Sequence, residues 1–206
     1  MKKIVSAILV LTSLFLLASC GMVNFEAVGG GLKHKKSGEL YYALPVGFEP
    51  CGVGKEYGRF GEFTLYRVVG INGEDIPDDW ITEEYSGNAT TVFHKGDVPS
   101  FRDINYDVCY ICEEDANVIS VAQTEEKEVI DAILVSLDKE EKALWPRTDL
   151  LASYTLKLYS TEYPAVFYSL VYCICDSGNY IYDRASGNCV DAGNILAGLV
   201  SITQYE

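Results

Sequence analysis

The last third of the chain leaves it the least freedom. Segments 154–159, 165–175, 179–183 and 188–191 alternate apolar and polar side chains with the two-residue period of a half-buried strand. Between them stand Tyr163-Pro164, Ser177-Gly178 and Ser186-Gly187, dipeptides that turn a chain back on itself. The pattern predicts an antiparallel β-meander over 154–191. With Ser177-Gly178 as a two-residue turn, Cys173 is expected opposite Tyr182, and Cys189 one strand further over.

Upstream of the meander the period changes. Thr124 is a natural N-cap, Glu125 and Glu126 complement the helix dipole, and Val129, Ile130, Ile133, Leu134 and Leu137 recur on one helical face. A helix is expected over 124–142, with Pro146 barring any extension. Region 39–123 reads as β-structure with long polar loops. Its strands are expected at 41–44, ended by Pro45, and at 60–71, with Phe63, Leu65, Arg67 and Val69 on one face. A hairpin pairs 106–112 with 117–122, and Glu113 to Ala116 form its bend. Near the end, Asn194 opens a short helix over 194–202 through Ile195, Leu196, Leu199 and Val200. The expected class is therefore α+β: an antiparallel sheet with one long amphipathic helix packed across it and a short C-terminal helix.

The first twenty residues obey a different logic. Lys2 and Lys3 precede an apolar run from Ile4 to Leu17, which is shorter than the ~20 residues a membrane span needs. The run closes on Leu17, Ala18, Ser19 and Cys20. This order resembles the signal peptide and lipobox of bacterial lipoprotein precursors. The resemblance implies that residues 1–19 are removed and that the Cys20 thiol carries a diacylglyceryl group, with a further acyl chain such as palmitate. It also implies a location on the extracytoplasmic side of a cell membrane or outer membrane. Two or three buried acyl chains hold a protein to a bilayer for practical purposes permanently. Residues 20–38, rich in glycine and lysine, read as the lipidated cysteine and a flexible linker to a single domain at 39–206. That domain's order of isoleucine-rich helix and aromatic strands resembles a module of small lipoproteins from Gram-positive bacteria, which bears on fold alone.

Charge narrows the partners. The whole chain has 16 basic and 30 acidic residues, and loss of Lys2 and Lys3 leaves 14 against 30, a net charge of −16. So acidic a body repels phosphate backbones, which disfavours nucleic acid and leaves membrane attachment to the lipid.

Six of the seven cysteines remain beside Cys20: Cys51, Cys109, Cys112, Cys173, Cys175 and Cys189. In an extracytoplasmic protein they are either a disulfide framework or buried thiols. Cys109-Tyr110-Ile111-Cys112 has the spacing of a redox pair, yet Glu113, Glu114 and Asp115 beside it would raise the thiol pKa, against nucleophilic use. Cys173 and Cys175, two apart on one strand, hold their sulfurs badly for a zinc cage. After His34 in the linker the one histidine is His94, beside Lys95, and no hydrolase motif occurs. Asn72, Glu74, Asp75, Asp78 and Asp79 lack the EF-hand spacing. No catalytic residue, metal ligand or cofactor is assigned on this basis.

What remains is aromatic. Of fifteen tyrosines, Tyr168, Tyr172, Tyr180 and Tyr182 lie in the meander, where a rigid tyrosine platform could receive an envelope protein, peptide or glycan. The expected role is a membrane-anchored, non-catalytic binding or interaction module. The alternative is an envelope enzyme using cysteine thiols or a bound metal.

Overall fold

A computed structural model describes residues 23–77, 79–83, 91–97, 100–113, 120–139, 142–145 and 149–200. The chain begins, within these, with a glycine turn. Val23–Val28 (β1) and Gly31–His34 (β2) are antiparallel, and the Val28–Gly31 pair leaves only Gly29 and Gly30 between them. Both glycines have positive φ, 41° and 88°, the pair of left-handed conformations that a tight hairpin demands. The stretch expected as a flexible linker is thus in large part a β-hairpin.

Leu40–Ala43 (β3), Phe48–Pro50 (β4), Gly52–Phe60 (β5), Phe63–Val69 (β6), Trp80–Glu83 (β7) and Val92–Lys95 (β8) follow. Seven strands close into a barrel in the order β1-β2-β3-β8-β7-β6-β5. A parallel β1–β5 contact seals it, with Val23 opposite Gly58 and Asn24 opposite Arg59. A Cβ at Gly58 would run into the Val23 carbonyl and the Phe25 ring, so this closure needs glycine. Six of the seven strands each contribute one buried large side chain, and Phe25, Leu32, Tyr41, Leu65, Ile81 and Phe93 fill the interior. Phe25 meets Tyr41 edge-on at 5.5 Å.

Val108–Glu113 (β9), Ser120–Thr124 (β10), Leu150–Tyr159 (β11), Val166–Cys175 (β12), Gly178–Asp183 (β13) and Asn188–Asp191 (β14) form an antiparallel sheet in the order β10-β9-β11-β12-β13-β14, and β4 pairs with β12. One face of this sheet buries Cys109, Ile111, Leu156, Leu158, Tyr168, Leu170, Tyr172 and Ile181. Helix α1, Lys127–Ser136, adds Ile130 and Ile133 to that core. The barrel adds Val68, Trp80 and Val92 from the outer side of its own wall.

The α+β expectation is overturned: the fold is mostly β, with a closed barrel and a helix of ten residues. Thr124 does not cap that helix. It closes β10 opposite Cys109, and its hydroxyl accepts a hydrogen bond from the Glu126 N–H at 3.1 Å, so the helix starts later than expected. The expected C-terminal helix is a run of turns through residue 200, such as Ala197 N–H to the Asn194 carbonyl, 3.0 Å. Gly198, at φ 94°, has left the helical region. Residues 201–202 of that segment, and the 114–119 bend of the β9–β10 hairpin, lie outside the described residues.

A linker and a hairpin respond differently to mutation. Replacing Gly29 and Gly30 together by valine forces two β-branched residues into left-handed geometry, at about 1–2 kcal/mol each. The urea midpoint should fall clearly; an unchanged midpoint would mean the segment is not a hairpin.

Candidate functional site

β12 is central and nearly every residue in it is buried, so both faces of the sheet matter. Ladder register sets the second face. Tyr110, Lys157 and Ser169 form one cross-strand row, and Cys112, Thr155, Val171, Tyr182 and Cys189 form the next. Beyond them Ser153, Cys173 and Tyr180 share a third.

This face has two parts. At one end Lys157, with 12% of its side chain exposed, pairs with Glu49 at 3.2 Å and lies over the Phe167 ring at 5.3 Å. Tyr110, Tyr159 and Phe167 surround it, with ring centroids 5.7–6.3 Å apart. Ser169 stands opposite Lys157, and Thr155 two residues along the strand from it. These hydroxyls are 2% and 1% exposed, and neither Ser169 Oγ nor Thr155 Oγ1 has a hydrogen-bond partner among the described residues. Such a group costs about 1–3 kcal/mol and calls for an explanation. At the other end Trp145 meets Tyr182 edge-on at 4.6 Å and, with Tyr180, covers Val171, Cys173 and Cys175.

The four expected tyrosines therefore do not form one platform. Tyr168 and Tyr172 point into the core, while Tyr180 and Tyr182 lie half-buried on the opposite face. Tyr168 is a fastening: its ring stacks on Phe101 at 4.2 Å and its hydroxyl donates to the Asp183 carboxylate at 2.9 Å. Asp183 in turn accepts from the Ala185 N–H and the Ser186 hydroxyl, holding the β13–β14 turn. Burial, then the Asp183 charge, pushes the Tyr168 phenol well above its ordinary pKa.

All six cysteines are thiols rather than disulfides. Cys109 faces the helix side, and Cys112, Cys173, Cys175 and Cys189 the other. The observed turn is Asp176-Ser177, because Cys175 pairs with Gly178, so Cys173 lies opposite Tyr180 rather than Tyr182. That two-residue slip keeps each side chain on its expected face. Desolvation pushes Cys51 and Cys109 up to about 12 and raises Cys112, Cys175 and Cys189. Lys157 pulls Cys51 and Cys112 down, but burial dominates.

His94 packs on Trp80 with centroids 4.1 Å apart, and burial lowers its pKa. Glu74 turns back to accept the Asn72 N–H at 2.9 Å. Asp78 and Cys20 lie outside the described residues. Among the described residues no group of three or more His, Cys, Asp or Glu side chains could hold a metal ion, and no helix is long and apolar enough to cross a membrane.

Sequence reasoning missed Trp145, Glu49, Lys157, Thr155 and Ser169. The signal for the last three was present: Ser153, Thr155 and Lys157 take every second position of β11, and Ser169 is the lone serine of an otherwise apolar and aromatic β12. Trp145 and Glu49 reach the face through long-range pairing, which local pattern does not reveal. No protein-family model matches the chain, and no curated protein or solved structure is significantly similar to it.

Two outcomes are expected. At neutral pH a thiol reagent should modify these cysteines on the order of a hundredfold more slowly in the folded protein than in urea; one fast site would mark an activated thiol. Thr155→Val and Ser169→Ala each remove an unpaired buried hydroxyl and should raise the melting temperature, by about 1 kcal/mol of stability. A fall would mean that the hydroxyls have structural partners.

Proposed function

We propose that this is a lipid-anchored protein of the extracytoplasmic face of a bacterial cell membrane or outer membrane, tethered through Cys20. Its role is to bind rather than to catalyse, through the Trp145–Tyr182 and Lys157–Ser169 face of the second sheet. The tether rests on the order of features in residues 1–20. The binding role is carried by one observation: a half-exposed Trp145–Tyr182 pair with Tyr180 at one end of a sheet face whose other end holds an ion-paired lysine among Tyr110, Tyr159 and Phe167. A charge already neutralised by Glu49 and flat, half-exposed rings together suit a neutral, polyhydroxylated ligand. An envelope glycan fits that chemistry best among peptide, glycan and protein partners. The alternative thiol enzyme has the raised cysteine pKa values against it.

Trp145 supplies a reporter, since the other tryptophan, Trp80, is buried in the opposite core. Titration with soluble cell-wall glycan fragments should change the fluorescence saturably, and Trp145→Phe should abolish the change. Tyr182→Ala should weaken binding about tenfold or more. A saturable signal from peptides but not glycans would move the ligand class, and no response to either would contradict the binding reading. Mass spectrometry of the amino terminus tests the tether separately: a diacylated Cys20 is expected, and an unmodified precursor in the cytosol would overturn the placement.

A further inference from the structure

β1 begins at Val23, so only Gly21 and Met22 separate it from Cys20. Three extended residues reach at most about 11 Å. A lipid on Cys20 therefore cannot leave the protein body hanging free of the membrane. The strands beside β1 in the barrel are β2 and β5, and the wall these three make has an unusual charge for this chain.

On β1, β2, the turn after β2, and β5, the basic residues are Lys33, Lys35, Lys36, Lys55 and Arg59, against Glu26 and Glu56. That is five against two, with Glu39 and Glu62 at the margins of the wall, and it leaves 9 basic and 28 acidic residues in the rest of the chain from Cys20 onward. The positive charges are neighbours in space. Arg59 stands opposite Asn24, and the Asn24 carbonyl accepts the Lys35 N–H at 2.9 Å, so Arg59, Asn24 and Lys35 lie across three adjacent strands or their ends. Glu26 and Glu56 are engaged within the wall, with Lys33 at 3.8 Å and Arg59 at 3.6 Å. Lys35, Lys36 and Lys55 are exposed and form no ion pair among the described residues. Next to Arg59, at the tip of the β5–β6 hairpin, the Phe63 ring is 58% exposed. An aromatic beside basic residues is the composition that membrane interfaces favour.

We propose that the β5–β1–β2 wall lies against the anionic headgroups of the membrane that holds the lipid, fixing the protein in one orientation. This rests on the lipid-anchor reading above and adds to it the face that meets the bilayer. The acidic remainder, repelled by the same headgroups, is turned outward. The tether confines the wall to the surface, so attraction too weak to recruit the protein suffices to orient it.

The test uses the full chain with its native lipid, purified from membranes and placed in vesicles of phosphatidylcholine alone or of phosphatidylcholine rich in phosphatidylglycerol. Lysine acylation is followed residue by residue by peptide mass spectrometry, with Lys127 on α1 as internal control. In anionic vesicles Lys35, Lys36 and Lys55 should react about fivefold more slowly than in neutral ones, while Lys127 is unchanged. The protection should vanish at high salt. Lys35→Glu with Lys36→Glu, both at exposed turn positions, should abolish it at Lys55. Equal rates in the two vesicles, or protection of Lys127 instead, would overturn the orientation. The mass of the amino-terminal peptide in the same experiment reports on the lipid itself: an unmodified Cys20 refutes the anchor, whereas a lipidated Cys20 with equal lysine rates refutes only the orientation.

Discussion

Trp80 and Ile81 are consecutive residues of β7, and their side chains enter different cores. Ile81 goes into the barrel, and Trp80 goes out of it into the apolar space between barrel and sheet. Val92 and Phe93 repeat the division on β8, and Val68 and Leu65 make it on β6. The physical constraint is that a strand with both faces apolar must be covered on both sides. Each of these side chains is worth about 1.5–3 kcal/mol when removed from water. Separating barrel from sheet would expose Trp80, Val92 and Val68 together with the Leu156 and Tyr168 side of the sheet, so three strands serve as structural members of both halves.

That shared wall gives the functional proposals their geometry. If the barrel is held at a membrane by β1, the sheet is held with it, and the face carrying Trp145, Lys157 and Ser169 has a defined direction relative to the bilayer. The division of labour follows chemistry. Basic residues gather on β2, the turn after it and β5, the strands that flank β1, whereas half-buried Tyr180 and Tyr182 and the two buried hydroxyls lie on β11 to β13. Burial pushes the Cys51 and Cys109 thiols up to about 12, which works against their use as nucleophiles at neutral pH.

How much of this could be read from the chain depends on how long each strand is. β11 and β12 run for ten residues, long enough for period two to show, and the meander was legible as strands even though one turn moved by one residue and its register by two. The barrel strands run for four to nine residues, and β1, β2 and β3 each bury a single large side chain: Phe25, Leu32 and Tyr41. One apolar residue is not a period. Closure joins β1 to β5 across thirty-odd residues of chain, and only spatial packing expresses it. Glycines misled in both directions: Gly29 and Gly30 looked like slack and are a tight turn, while Gly198 inside an apolar helical spacing interrupts it. Of the tyrosines, parity alone separates Tyr168 and Tyr172 from Tyr180 and Tyr182, and it does so only once the register between β12 and β13 is known.

The most direct test of the shared-strand account is equilibrium unfolding followed simultaneously by tryptophan fluorescence and by hydrogen exchange of barrel and sheet amides, in the parent chain, in Leu65→Ala and in Leu156→Ala. Leu65 lies in the barrel core and Leu156 in the core beneath the sheet. Each truncation should cost about 2–5 kcal/mol, and every probe should follow one transition whose midpoint falls in both variants. If Leu65→Ala melted the barrel amides while the sheet amides kept their original midpoint, the two halves would be separate bodies and the account would fail.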